Sequence, residues 1–397
     1  MIRKERLFTP GPTQLLPSAQ LAMAGATMHH RTADFRALYG KVLASLRTFI
    51  GTHNDVILFT SSGTGAMEAA VSNLTSPGDK VLVLSAGKFG ERWESLAKVF
   101  GCQVDTIRAP YGEAVSPRQV QDKLSSEHAV VYMQATESST GVRLDVEGIA
   151  RLLKGTDTLL VVDAITGLGT THFDVDGWGI DVIIGGSQKA VMIPPGLAYL
   201  AVSERAWKQM ESAGSPRYYF DLRKERKAAA KGESAFTPAT SLIAALAAAF
   251  DYIRAAGGGD LAAGRHALIA NAELAAAMTR AAAQALNLKL FAASAPAAAL
   301  TAIVPPAGID SSAIVKDFRE RFGAVVANGQ GEMKGKLFRI AHLGYYDYLD
   351  TIAIIGALEQ VIARATGEAK LGAGLLAAQK VYAAAAVAQP EAEMARA

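Results

Sequence analysis

The stretch Thr158-Leu159-Leu160-Val161-Val162-Asp163-Ala164 is followed, after a short connection, by Asp181-Val182-Ile183-Ile184-Gly185-Gly186-Ser187-Gln188-Lys189-Ala190. Both open as short runs of Val, Ile and Leu without alternation, which is what a strand covered on both faces requires. The first ends on an acid. The second ends on small residues and then a lysine. Ligands in α/β sheets sit beyond the carboxyl ends of the strands, so Asp163 and Lys189 stand where chemistry is done.

Working outward, similar runs occur at Val56–Thr60, Lys80–Ser85, Gln103–Arg108, Ala129–Gln134 and Leu197–Val202, making seven strand candidates with Thr158–Asp163 and Asp181–Ile184. Several of the segments between them are long enough for a helix. This alternation predicts an α/β fold with a mostly parallel seven-stranded sheet and helices on both faces. Before it, Pro10, Pro12 and Pro17 predict an irregular arm over residues 1–20. After it the chain turns alanine-rich and helical, and Gly257-Gly258-Gly259 interrupts. A smaller C-terminal α/β unit is expected next, with strands at Thr301–Val304 and Lys336–Ala341 and helices at Ser311–Phe322 and Thr351–Ala365. The predicted layout is a large domain over 21–260, a small domain over 261–369 and an alanine-rich helical tail over 370–397 that frays before Ala397.

Composition narrows the function classes. Half of the 397 residues are hydrophobic and only 19% are charged, so a large core forms without disulfides or metal. A net charge of +3, spread along the chain, leaves no footprint for nucleic acid or an anionic membrane. The single Cys102 excludes a disulfide framework and a cysteine-built zinc site, and fits a reducing cytoplasm. The uncharged stretch Leu290–Ile309 contains Pro296, Pro305 and Pro306 and cannot run as one membrane helix.

Three strand ends carry candidate chemistry. Ser61-Ser62-Gly63-Thr64-Gly65 leads from a strand into a helix, where free N–H groups and hydroxyls form an anion site. A tight turn with a serine cap reads equally well at that position alone. Asp163 is either a helix cap or a buried carboxylate facing a cation. Lys189, before the rigid Pro194-Pro195-Gly196 turn, is either a surface lysine or an amine whose pKa desolvation lowers toward Schiff-base chemistry. Taken together, an anion cradle, an acid for a pyridinium nitrogen and a Schiff-base lysine are what pyridoxal phosphate requires.

On these motifs, with Phe8-Thr9-Pro10-Gly11-Pro12-Thr13, His29-His30-Arg31-Thr32, Glu137-Ser138-Ser139-Thr140-Gly141 and Phe338-Arg339-Ile340, the chain resembles the class V, fold-type I pyridoxal-phosphate aminotransferases. Within them it is most similar to the alanine–glyoxylate, serine–glyoxylate and serine–pyruvate enzymes. The resemblance spans about residues 7–365. It implies that Lys189 holds the cofactor and that Asp163 pairs with its ring nitrogen. Ser62, Gly63, Thr64 and Gln188 would bind its phosphate. Phe89 would lie over the ring, where many relatives carry tryptophan. Ser138 would meet the phenolic oxygen or the substrate, and Arg339, helped by the Gly11 N–H, would take the substrate carboxylate. Relatives also reach the phosphate from a second subunit with a tyrosine and a threonine. Here Glu233-Ser234-Ala235-Phe236-Thr237-Pro238 has no tyrosine and leaves Thr237 as the candidate, so the expected unit is a homodimer.

The implied reaction is transamination from alanine or serine to glyoxylate or pyruvate, in the cytoplasm, because Arg339 is the one carboxylate clamp assigned. Arg31 or Arg143 as a second clamp would instead admit aspartate, and relatives also include ureidoglycine enzymes. A cysteine desulfurase is disfavoured: Cys102 opens a strand, and Gln188 stands where a histidine is expected. The remaining alternative is a non-catalytic hydrogenase-associated subunit. Nothing has the paired-cysteine spacing of an iron–sulfur or nickel site.

Overall fold

The computed structural model describes residues 2–394. A short strand, β1 (Arg6–Phe8), opens the chain. Then come β2 (Asp55–Ser61), β3 (Lys80–Ser85), β4 (Gln103–Arg108), β5 (His128–Gln134), a small ribbon of β6 (Thr136–Glu137) and β7 (Val142–Arg143), and β8 (Leu159–Asp163), β9 (Val182–Gly186) and β10 (Gly196–Val202). Seven of these form one sheet in the order β2-β10-β9-β8-β5-β3-β4. Strand β10 is antiparallel to both neighbours, and β9, β8, β5, β3 and β4 are mutually parallel. The mostly parallel seven-stranded fold-type I architecture is therefore present, each strand within one or two residues of its expected position.

Covering on both faces explains the unbroken apolar runs. Leu82, Leu84, Val131, Met133, Leu160, Val162 and Ile183 pack on the side of helices Ala33–Ile50 and Thr240–Ala256. Val81, Val83, Val130, Tyr132, Val161 and Ile184 pack on the side of helices Gly63–Leu74 and Lys88–Val99. Each such side chain stabilises the fold by about 1.5–3 kcal/mol relative to exposure. The parallel strands, taken in chain order, lie 2-1-3-4-5 across the sheet, which puts the reversal of winding between β3 and β5. Sheets of this kind place their ligand crevice at that reversal, beyond the carboxyl ends, here between the turns before Lys88 and after Gln134.

The second sheet runs β1-β13-β14-β12-β11, with β11 (Lys289–Leu290), β12 (Leu300–Val304), β13 (Ala324–Asn328) and β14 (Phe338–Ala341). Strands β12 and β14 match expectation. The arm needs correction, because residues 1–20 are not irregular throughout. Strand β1 pairs parallel with β13, and a helix, Pro17–Ala24, starts with proline in its first turn, where no N–H is needed. The segment between them is irregular, as are residues 2–5. It crosses from the small sheet to the large one, where Thr13 N–H donates to Gln188 O (3.2 Å) and Leu16 N–H to Met192 O (3.0 Å).

Helix Thr240–Ala256 stops at the glycine triplet, and Leu261–Ala285 restarts on an Asp260 cap. The alanine-rich tail is the helix Ala373–Met394, packed on Leu261–Ala285. The buried Glu359 carboxylate anchors its start by accepting from Gly372 N–H (2.8 Å) and Leu375 N–H (2.9 Å). The fraying expected toward Ala397 concerns residues 395–397, which lie outside the described residues. Among the described residues no helix is long and apolar enough to cross a membrane.

Candidate active site

The three strand ends named from the sequence meet the arm and the small sheet in one place. Strand β8 ends on Asp163, which is buried between its neighbours β5 and β9, Gln134 and Ile184 standing alongside and β9 running on to Gly186. One carboxylate oxygen accepts from the Ile165 N–H (2.9 Å). Burial raises the Asp163 pKa to about 6, against that N–H and the charges of Lys189 and Arg92, which lower it.

Lys189 follows β9 on a turn tied down by Ser187, whose hydroxyl donates to Pro194 O (2.7 Å) and accepts from Leu197 N–H (3.1 Å). Only 8% of Lys189 is exposed, and its amine donates to Pro10 O (2.5 Å) on the arm. Burial lowers its pKa to about 8. The Asp163 charge opposes that shift, and Arg339 and Arg92 add to it. Thus one buried pair holds an acid shifted up and an amine shifted down, the arrangement that suits proton exchange near neutrality.

Gly11 lies directly on the lysine. A Cβ there would sit 2.4 Å from Lys189 Nζ and 2.7 Å from Cε, and the backbone has φ +143°. Gly11→Ala therefore displaces the amine, and a misplacement near 1 Å lowers turnover by on the order of 10²-fold. Steady-state kinetics beside a melting curve checks this. A variant with wild-type turnover would show that the arm does not bear on the reaction.

At the first strand end, Ser62 caps helix Gly63–Leu74 with its side chain left free. A Cβ on Gly63 would come 2.3 Å from Ile165 Cδ1, and one on Gly65 would come 2.6 Å from Phe220 Cζ, so these crowded positions admit only glycine. Thr64 Oγ1 accepts from Arg92 Nη1 (2.9 Å). The Gln188 carboxamide is next to Gly186, and its buried Oε1 meets no hydrogen-bond partner among the described residues.

On the crevice's other wall, Arg339 on β14 is buried, and its guanidinium donates to Ser138 O (2.6 Å) and Asn328 O (2.5 and 3.2 Å). Burial lowers its pKa to about 10, against the attraction of Glu137. All of these acceptors are neutral carbonyls, so the fork's charge is not cancelled at bonding distance. Phe89 stands in the first turn of helix Lys88–Val99.

Several members of this cluster carried no role in the sequence. Glu137, fully buried, accepts from the N–H groups of Phe89 (3.0 Å), Gly90 (3.2 Å) and Ser139 (3.2 Å) and from the Ser139 hydroxyl (2.5 Å). It thereby fixes the helix that carries Phe89 to the turn that carries Ser138. Its position inside the Glu137–Gly141 motif was its only signal. Ile165 fills the space between Gly63 and Gly186. Arg92, three residues after Phe89, lies with its guanidinium 4.8 Å from that ring's centroid.

Other candidates fall elsewhere. Thr237 is exposed in the loop before helix Thr240–Ala256, beside Phe236, whose ring stacks on Tyr219 at 4.9 Å. Within one chain it does not join the buried cluster. Arg31 is exposed and faces Glu233 (3.7 Å). Arg143 lines a separate cleft with His172 and Trp178. Neither is brought to Arg339 as a second clamp.

Comparison with known proteins bears on this cluster. The profile of the family described as aminotransferase class-V matches residues 16–331. The chain is 39% identical to the soluble hydrogenase 42 kDa subunit of Anabaena cylindrica, over 96% of this chain and 99% of that one. It is 33% identical to the L-aspartate–glyoxylate aminotransferase of Paracoccus denitrificans (96% and 97% covered) and to the serine–glyoxylate aminotransferase of Hyphomicrobium methylovorum (95% and 94% covered). Among solved structures, the subgroup IV aspartate aminotransferase of Thermus thermophilus superposes with a TM-score of 0.84 at 33% identity, covering 91% of this chain and 99% of that one.

Proposed function

The chain belongs to the class-V aminotransferases, and from that membership we propose that it transfers an amino group from alanine or serine to glyoxylate or pyruvate. The observation that carries the reading is the buried Lys189–Asp163 pair, shifted toward neutrality from opposite sides and walled by Arg339.

Membership implies pyridoxal phosphate, and the donor set fits it. Helix Gly63–Leu74 begins on Ser62 and has glycine at Gly63 and Gly65, so its N-terminal end presents backbone N–H groups suited to an anion. The orphaned Gln188 Oε1 becomes a free donor when the carboxamide is turned end for end. Ser62, Gly63, Thr64 and Gln188 would hold the phosphate, Asp163 the ring nitrogen, Phe89 and Ile165 the ring faces, and Ser138 the phenolic oxygen. When bound, the cofactor supplies an aldehyde for the substrate amine and a ring that withdraws electrons from the substrate Cα.

The chain's own residues do the rest. Arg339 orients the substrate by its carboxylate, helped by the Gly11 N–H. Asp163 keeps a proton on the ring nitrogen. Lys189 Nζ holds the cofactor at rest. Its amine, when free, would take a proton from the substrate Cα as general base and give one back as general acid. A desolvated amine with a pKa of about 8 is neutral often enough near pH 7 to accept that proton.

A single buried guanidinium, bonded to Ser138 O, supports small neutral donors. A second reading, aspartate as donor, is favoured by the names of the Paracoccus and Thermus relatives. Single-turnover bleaching of the holoenzyme's visible band by each amino acid separates them. Alanine and serine are expected to bleach it faster than aspartate and glutamate. The reverse order would replace the small-donor assignment with the aspartate one, and no bleaching by any amino acid would favour a subunit role like that in the Anabaena relative's name.

Exposure of Thr237 beside the uncovered rings of Tyr218 and Tyr219 supports a homodimer in which this loop reaches the partner's phosphate site.

A further inference from the structure

Arg92 belongs to neither the strand ends nor the substrate clamp, yet it is the side chain that joins Thr64 to Phe89. It projects from the first turns of helix Lys88–Val99, three residues after Phe89 and therefore on the same face. That helix cannot shift freely. Its first N–H groups are held by the buried Glu137 carboxylate, and Gly87 before it leaves no room for a Cβ against Glu137 and Ser139.

The guanidinium does two things at once. It lies over the Phe89 ring at 4.8 Å, and it donates from Nη1 to Thr64 Oγ1 at 2.9 Å. A threonine hydroxyl has one hydrogen to give and two lone pairs to receive, whereas a guanidinium only donates. The Arg92 bond therefore takes a lone pair of Thr64 and leaves its hydrogen to be given elsewhere. None of the hydrogen bonds among the described residues uses Thr64 Oγ1 as donor. The hydroxyl stands in the first turn of helix Gly63–Leu74, at the anion-binding end.

We propose that Arg92 is a positioning residue for phosphate-bearing cofactor: by donating to Thr64 it forces that hydroxyl to act as a donor toward a phosphate monoester. The inference rests on the cofactor reading above. It assigns Arg92 an effect that depends on the phosphate and passes through Thr64, with no direct bond from Arg92 to the ligand.

The test is an absorbance titration of the full-length chain, stripped of cofactor, with pyridoxal phosphate and in parallel with pyridoxal, which lacks the phosphate. Melting temperatures are recorded beside it. In Arg92→Met the affinity for pyridoxal phosphate should fall about ten-fold while that for pyridoxal stays within about two-fold. In a Thr64→Val background, Arg92→Met should cause no further loss. Arg92→Leu, which likewise removes the donor, should behave like Arg92→Met and serves if the methionine variant does not fold. Equal weakening toward both ligands, additive losses in the double variant, or wild-type affinity in Arg92→Met or Arg92→Leu would each overturn the proposal. A wild-type chain that binds neither ligand would overturn the cofactor reading itself, so the two failures are distinguishable.

Discussion

In Lys189→Ala, the visible band of lysine-bound cofactor disappears and turnover falls by at least about 10³-fold, because nucleophile and general base are lost together. The variant still folds. Lys189 makes one side-chain hydrogen bond, to Pro10 O, and burying its ammonium is itself unfavourable. The lysine also leaves a signature in stability. Its folded pKa is about 8 against an ordinary 10.5, so the unfolded chain binds more protons between those values. Wild-type stability attributable to Lys189 therefore rises with pH across that window, and the alanine variant lacks the slope. Denaturant midpoints at a series of pH values measure it. For the same reason, capture of added pyridoxal phosphate by cofactor-free wild type should accelerate through about pH 8, as the amine loses its proton. Substantial transamination by Lys189→Ala would show that another amine does the work.

For Asp163→Ala the expected loss is on the order of 10³-fold in the amino-acid half-reaction, with weaker cofactor binding, since the ring nitrogen loses the charge that keeps it protonated. Asp163→Asn retains the volume and separates charge from packing. Without ligand the sign reverses. Burial holds the Asp163 pKa at about 6, above the ordinary 3.8, so the folded chain binds more protons between them. The stability contributed by the protonated acid is present below that window and lost as pH rises through it. The cofactor-free Asn variant should therefore be more stable than wild type at neutral pH, although it binds cofactor less well. A variant with the wild-type rate at saturating cofactor would take Asp163 out of the site.

The large sheet was readable because its signal is local. Four residues such as Leu159–Val162, buried on both faces, must be apolar in an unbroken run, and a run shows itself without its partners. The small sheet was readable only in part. Strand β1 is three residues long, and its partner β13 lies more than 300 positions away, so no periodicity within either segment announces the pairing. Cross-sheet pairing of this kind is decided by tertiary contact.

The candidate site divides along the same line. Asp163, Lys189 and the Ser62–Gly65 turn could be named from the sequence because each stands at a strand end, and Arg339 because the Phe338-Arg339-Ile340 motif helps carry the family resemblance. Side-chain chemistry and strand topology are both encoded locally. What surrounds them was not encoded that way. The amine of Lys189 meets a carbonyl 179 positions earlier, Glu137 holds N–H groups 47 and 48 positions earlier, and Arg92 reaches a hydroxyl 28 positions before it. A backbone carbonyl has no residue-type signature, and a buried acid or arginine has the same letter as an exposed one. The sequence by itself thus determined which groups can react. Only the tertiary structure decided how they are desolvated, paired and aimed, because burial and hydrogen-bond geometry arise when distant segments pack.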